Sequence, residues 1–359
     1  MTHPSPATTI PIGITENILV NGIASMIPLS TTEGALIASF SRGNKLLTQS
    51  GGVVSCAIDN GYTLSAVISL SNLEELDQFQ THLSQPSLFE SLSLAVSDSN
   101  PSLCLGDVES YIVAQNVSVV FRLRHRTSSF KHIQSKLITN LLKIIKKSSP
   151  VSFTLLSIQT PFSSSSSPSV SNIVKPSGFT VSSDVVIPAQ LLQTVMHVSP
   201  QTFLSLNQKK NYLGSSLACT LGGNNAHASN ALSALFLACG QDMSLIPTCS
   251  ACFLTTELTD SGDLHVSCTM PSLLVDVSSP LASSVQKSLI TFLLSDEKNV
   301  FPPTTDSEMQ EDEVIKNANK RFAMIAASVV LAGELSLISS LAQGTLMDAH
   351  NALNRGKSP

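Results

Sequence analysis

The sequence predicts an α+β fold, and three observations carry that reading. From about Leu64 the chain alternates strand-like and helix-like segments in a β-α-β-β-α-β order over roughly a hundred residues. "LGGNNAHASNALSALFLACGQD", Leu221 to Asp242, is small and apolar in the manner of a buried helix. "FAMIAASVVLAGELSLISSLA", Phe322 to Ala342, is a second such run. Its length would suit a membrane span, but Glu334 inside it and its Ala/Ser content favour a core helix.

In chain order, "TTEGALIASF" opens a helix, with Thr31 and Thr32 placed to cap free backbone amides. "TLSAVISLS" reads as a strand, and "NLEELDQFQTHL" and "PSLFESLSLAV" as helices. "VSVVFRLRHR" alternates, with Phe121 and Leu123 on one face and Arg122, Arg124 and Arg126 on the other. "HIQSKLITNLLKIIKK" is an amphipathic helix and "VSFTLLSIQ" a strand. Pro161 to Asn172 is serine-rich and predicts a flexible surface loop. "FTVSSDVVIP" follows as a strand, then a largely helical stretch from Ala189 to the Leu221 run. Asp260–Gly262 marks the turn of a hairpin. A charged loop, Ser295 to Glu313, leads to the final helices.

Composition narrows the function classes. Hydrophobic residues make up 42% and charged residues 13%, so much surface must be buried, in a core and in an oligomer interface. A net charge of −5 gives no footprint for nucleic acid. Seven scattered cysteines fit a reducing compartment. Cys249 and Cys252 form a lone C-x-x-C, and no second pair has the spacing for a structural zinc. The start, "MTHPSPATTIPIG", lacks the charged and apolar regions of a signal peptide. The expectation is a soluble, cytoplasmic chain without a membrane segment or metal.

Four polar positions stand against apolar or small neighbours: Glu33, Lys210, Asp242 and His350. Each has a plain structural reading as well: a first-turn carboxylate, a solvated lysine, a turn cap and a surface histidine. His227 and Asn230 are three apart and would share a helix face, where buried polar groups need partners.

The blocks "STTEGALIASFSRGNK", "GSSLACTLGGNNAHASNALSALFLACGQD", "LHVSCTMPS" and "AGELSLISSLAQGTLMDAHNALNRGK" resemble, in order, the eukaryotic form of 3-hydroxy-3-methylglutaryl-coenzyme A reductase. The resemblance implies a large mainly helical domain around a buried central helix (1–63 and 171–359). A small ferredoxin-like dinucleotide-binding domain (64–170) would be inserted in it. It also implies NADPH-dependent reduction of 3-hydroxy-3-methylglutaryl-coenzyme A (HMG-CoA) to mevalonate and coenzyme A, in a homodimer or homotetramer. Carried over by motif, Glu33, Asp242 and His350 would be catalytic. Lys210, His227, Asn230, Ser39 and Arg42 would bind substrate. Asn354 and Arg355 would face the nucleotide.

The same comparison exposes departures. The family's Asp-Lys-Lys-Pro loop aligns with "IVKP", so Lys175 alone remains as a catalytic lysine, in the position of the second. Leu64 stands where the family has an arginine. The two glycine-rich cofactor signatures align with Thr127–Ile133 and Asp276–Ala282, which have no glycine and carry Pro280. Arg124 and Arg126, with Arg122 and Lys131, would then hold the NADPH phosphate, or form a solvated strand face. The alternative is a family member that binds coenzyme A thioesters, or acts as a partner subunit, without reducing them.

Overall fold

A computed structural model describes residues 8–101, 103–125, 134–163, 167–279, 282–294 and 308–346. Four short strands come first: β1 (Ile12–Ile14), β2 (Ile18–Val20), β3 (Ile23–Ser25) and β4 (Pro28–Ser30). They pair as β1 with β4 and β2 with β3, both antiparallel. Their pattern is too short for alternation to reveal them in sequence. Helix α1 (Gly34–Gln49) buries Leu36, Phe40, Gly43 and Leu47, spaced to make one stripe. Its N-cap is Glu33, whose amide donates to Thr31 Oγ1 at 3.0 Å. Strand β5 (Val54–Asp59) then leads to β6 (Tyr62–Leu70).

After β6 come α2 (Glu74–Leu83), α3 (Pro86–Ser99), β7 (Leu103–Val113), β8 (Asn116–His125), α4 (Gln134–Ser148) and β9 (Phe153–Ser157). The four strands form one antiparallel sheet in the order β7-β8-β6-β9. Phe121 and Leu123 are fully buried in a core that also holds Phe79, Leu92 and Leu141. Arg122 and Arg124 fall on the other face of β8, as period-two alternation requires.

The chain re-enters the larger core through α5 (Ser171–Val174) and β10 (Phe179–Ile187). The end of the serine-rich segment is anchored rather than free: Asn172 is buried and donates to Thr248 Oγ1 at 3.0 Å. Helices α6 (Ala189–Met196) and α7 (Pro200–Leu206), a π-helical turn (Asn207–Leu213) and α8 (Gly214–Ala218) follow. Of the Leu221–Asp242 run only α9 (Ala228–Ala238) is helical; Gly223–Asn224 is a short strand, β11. His227 occupies the N-cap position of α9, with non-helical backbone angles, so it lies just outside the helix that carries Asn230. After α10 (Ile246–Cys249), β12 (Cys252–Leu258) and β13 (Leu264–Leu273) make the expected hairpin, with Gly262 at φ +83. Cys252 Sγ lies 3.4 Å from Cys268 Sγ, and Cys249 Sγ accepts the Leu274 amide at 3.2 Å.

A five-stranded sheet, β11-β12-β13-β10-β5, thus runs through what the sequence reads as a mainly helical layer. After α11 (Ser284–Leu293), the described residues of this end form one long helix, α12 (Glu308–Gln343). It begins inside the charged loop. It is long and apolar enough to cross a membrane, yet 89% of that window is buried within the fold. It packs against β10, β13 and β5 and against α1 and α9.

Candidate active site

Two glycines let α1 and α12 approach closely. A Cβ on Gly43 would fall 2.2 Å from Ala332 O, and one on Gly333 would fall 2.5 Å from Phe40 Cε1. At this crossing, together with the start of α9, lies a cavity of about 490 Å³. Glu33, Ser39 and Arg42 line it from α1, His227 and Asn230 from the start of α9, and Ser340 from α12. Five residues proposed from the sequence therefore converge on one pocket, although they lie almost two hundred positions apart.

The pocket's polar groups are held by α12. Arg42 Nε and Nη2 donate to Ser336 Oγ at 3.2 and 2.9 Å, and Nη2 also reaches Ser336 O at 2.9 Å. Ser39 Oγ donates to the same Ser336 hydroxyl at 2.9 Å. Burial lowers the Arg42 pKa from its ordinary value. On its other side Arg42 joins Ser41 and Lys45 along a groove of about 460 Å³. The His227 ring stacks on Phe40 with centroids 5.8 Å apart. Behind it, Glu334 accepts the backbone amides of Ala226 and His227 at 2.7 and 2.8 Å.

The other nominated residues lie elsewhere. Asp242 caps a 3-10 turn, accepting from the Ser244 amide at 3.0 Å and hydroxyl at 2.7 Å. Lys210 sits exposed in the π-helical turn and donates to Asn211 Oδ1 at 2.9 Å. Lys175 lines a second cleft, of about 470 Å³, with Arg122, Arg124, Glu109 and Asp59. There Glu109 Oε1 takes Lys175 Nζ at 2.6 Å and Arg122 Nε at 3.0 Å. Burial would raise the Glu109 pKa, but hydrogen bonds from Arg122, Lys175 and Tyr111 outweigh it and bring it down to about 2. Lys175, which follows the serine-rich segment, is thus held in an ion pair. Arg126, Lys131, His350, Asn354 and Arg355 lie outside the described residues.

A family model described as hydroxymethylglutaryl-coenzyme A reductase matches residues 6–355. The chain belongs to the hydroxymethylglutaryl-coenzyme A reductase family. It is 33% identical over 347 residues to 3-hydroxy-3-methylglutaryl-coenzyme A reductase 1 of Arabidopsis thaliana, covering 96% of this chain and 57% of that protein. The corresponding figures for the Catharanthus roseus reductase are 32% over 348 residues, 96% and 56%. The chain thus spans less than two thirds of these relatives. Among solved structures, the class II reductase of Streptococcus pneumoniae, bound to NADPH in open conformations, superposes with a TM-score of 0.69 at 14% identity. That match covers 94% of this chain and 77% of the other. At that identity the likeness shows a shared fold.

Sequence reasoning missed four residues that stand behind the pocket lining of this reductase-family chain and hold it: Phe40, Gly333, Glu334 and Ser336. The signal for Glu334 was present. A lone carboxylate in an apolar helix needs a buried partner, and its value as an argument against a membrane span hid that question.

Proposed function

We propose that this chain reduces HMG-CoA to mevalonate and coenzyme A with NADPH, a step of isoprenoid and sterol precursor synthesis. The supporting observation is the convergence of Glu33, Ser39, Arg42, His227 and Asn230 on one cavity in a chain of this family. Reduction of a thioester builds negative charge on the carbonyl oxygen, which needs a nearby proton donor and cation. Glu33, which lines the cavity, is the proton donor of this reading. Arg42 and Lys45, one turn apart on α1, suit the phosphates of coenzyme A, because a guanidinium and an ammonium both bind phosphate oxygens. His350 follows four residues after the cavity-lining Leu346, and would protonate the departing thiolate near neutral pH.

NADPH supplies hydride when bound. The residues present fit it only in part. In the Asp276–Ser279 turn the four amides already donate to Gln241, Asn319 and Asp276, so this turn offers no phosphate cradle. Arg124, which lines the second cleft, is the described group suited to a phosphate, with Arg126, Asn354 and Arg355 completing the nominated set. Lys175 would act as the catalytic lysine once released from Glu109.

Asp242 and Lys210 line no part of this chain's cavity, so the reading takes them from a second copy in a homodimer or homotetramer. Exposed Ile12, Ile14, Leu213 and Leu217 (88% exposed) are suited to such an interface. The domain reading is 1–63 and 171–359 around α12, with a ferredoxin-like domain at 64–170 supported by the β7-β8-β6-β9 order. The compartment of this reading is the cytoplasm.

The test is NADPH absorbance with HMG-CoA, with Glu33→Gln and His350→Ala alongside. Consumption that falls in both variants supports the reductase reading. Thioester binding without consumption would assign a coenzyme A thioester-binding or partner subunit instead.

A further inference from the structure

Behind the cavity-lining Ala226 and His227 lies a carboxylate that the reaction above does not use. Glu334 is 0% exposed. Its Oε2 accepts the Ala226 amide at 2.7 Å and its Oε1 the His227 amide at 2.8 Å. These amides precede α9, at the end where a helix leaves donors without intrahelical acceptors and where its dipole favours negative charge. His227 is the N-cap residue but makes no side-chain cap bond. Asn225 Oδ1 takes the next amide, that of Ala228, at 3.2 Å. The start of α9 is thus capped largely by a different helix.

Gly333 makes that reach feasible. A Cβ there would lie 2.5 Å from Phe40 Cε1 and 3.1 Å from His227 Nε2. Without one, α12 comes close enough for the next residue to meet the two amides. His227 Nε2 is buried and has no hydrogen-bond partner among the described residues. The ring's place is therefore set by its stack on Phe40 and by its own backbone, which Glu334 holds.

We propose that Glu334 is a positioning residue for thioester binding. It fixes the Ala226–His227 backbone and through it orients His227 and Asn230 at the cavity. The ligand in this inference rests on the reductase reading; the geometry does not. Both carboxylate oxygens are used as acceptors. Glutamine keeps one acceptor and sets an NH₂ against an amide N–H, so it cannot substitute fully.

The test compares wild type, Glu334→Gln and Glu334→Ala in full-length protein. HMG-CoA affinity is read by calorimetry, KM and kcat by turnover, and the His227 ring by its NMR signals. Expected is a loss of HMG-CoA affinity of roughly tenfold in Glu334→Gln and more in Glu334→Ala, seen in Kd and KM more than in kcat. A merely structural role would lower the active fraction, and so kcat, and leave KM and Kd unchanged; that outcome overturns the proposal. If wild type binds no HMG-CoA, the reductase reading fails by itself. The positioning role is then read from the ring. Glu334→Gln must shift the His227 signals while leaving those of His82 and His197 in place, and unshifted His227 signals overturn it. If Glu334→Ala does not fold, Glu334→Gln decides alone.

Discussion

Lys175 Nζ lies 2.6 Å from Glu109 Oε1, and Arg122 also donates to the Lys175 carbonyl at 3.3 Å. Glu109 and Arg122 belong to the small sheet, and Lys175 to the segment that returns to β10. The carboxylate thus ties the two cores together. Its folded pKa, about 2, lies below the ordinary glutamate value of roughly 4.3. Its contribution is therefore present above the unfolded pKa and lost as pH falls through the folded one. Urea unfolding of wild type and Glu109→Gln should differ by about 1–2 kcal/mol at pH 7. The gap should close between about pH 4.5 and 2. A gap that persists at pH 2 would mean the charge is not what stabilises this junction.

Gly43→Ala tests the helix crossing under the cavity. Alanine gains about 1 kcal/mol of helix propensity over glycine. Here the added methyl would meet Ala332 O at 2.2 Å, and a backbone atom cannot rotate away. Overpacking of this kind costs about 1–3 kcal/mol and sometimes more. The expected net effect is destabilisation, with a lower urea midpoint. A midpoint raised by the substitution would show that α1 and α12 are not held this closely in solution.

The residues explain what the sequence could and could not disclose. The small sheet was legible because Phe121 and Leu123 alternate with Arg122 and Arg124 over a strand long enough to show period two. Strands β1 to β4 have three residues each, too few for any period to appear. Glu33, Ser39 and Arg42 were found because their motif is local and specific. Nothing in one stretch could show that Arg42 would be held by Ser336, or that Glu334 would cap a helix 108 residues away. Those relations depend on two glycines whose meaning appears only once the helices cross. The fate of Lys175 was hidden for the same reason, since Glu109 lies on another element.

His265 gives a second pH dependence of opposite sign. Its Nδ1 lies 2.7 Å from Glu257 and its Nε2 2.6 Å from Asp184, across three adjacent strands. The hydrogen bond with Glu257, followed by that with Asp184, raises its pKa despite partial burial. A raised folded pKa gives stability fully present below the unfolded value of about 6.5, and lost as pH rises through the folded value. Thermal unfolding of wild type should weaken over that window relative to His265→Gln. Parallel curves for the two proteins would rule out a charged His265.

Arg42 offers the most direct test of how the cavity would hold the proposed coenzyme A thioester. Its fork reaches one hydroxyl through Nε and Nη2 while Nη2 also meets the Ser336 carbonyl, and Ser39 shares that hydroxyl. A lysine keeps the charge but presents a point donor on a flexible stem, so it cannot occupy this arrangement. If charge alone attracts the phosphates of coenzyme A, Arg42→Lys should bind HMG-CoA almost as wild type does. If the orientation set by Ser336 matters, Arg42→Lys should lose roughly tenfold in affinity, about 1.4 kcal/mol. Ser336→Ala should then lose a similar amount with the arginine intact. The expected result is the second, because Nε and Nη2 of this half-buried guanidinium already donate to α12 and leave it little freedom to turn. Calorimetry at two salt concentrations separates the cases. A charge-only contact weakens with salt in both proteins alike, whereas the orientation-dependent loss persists at high salt.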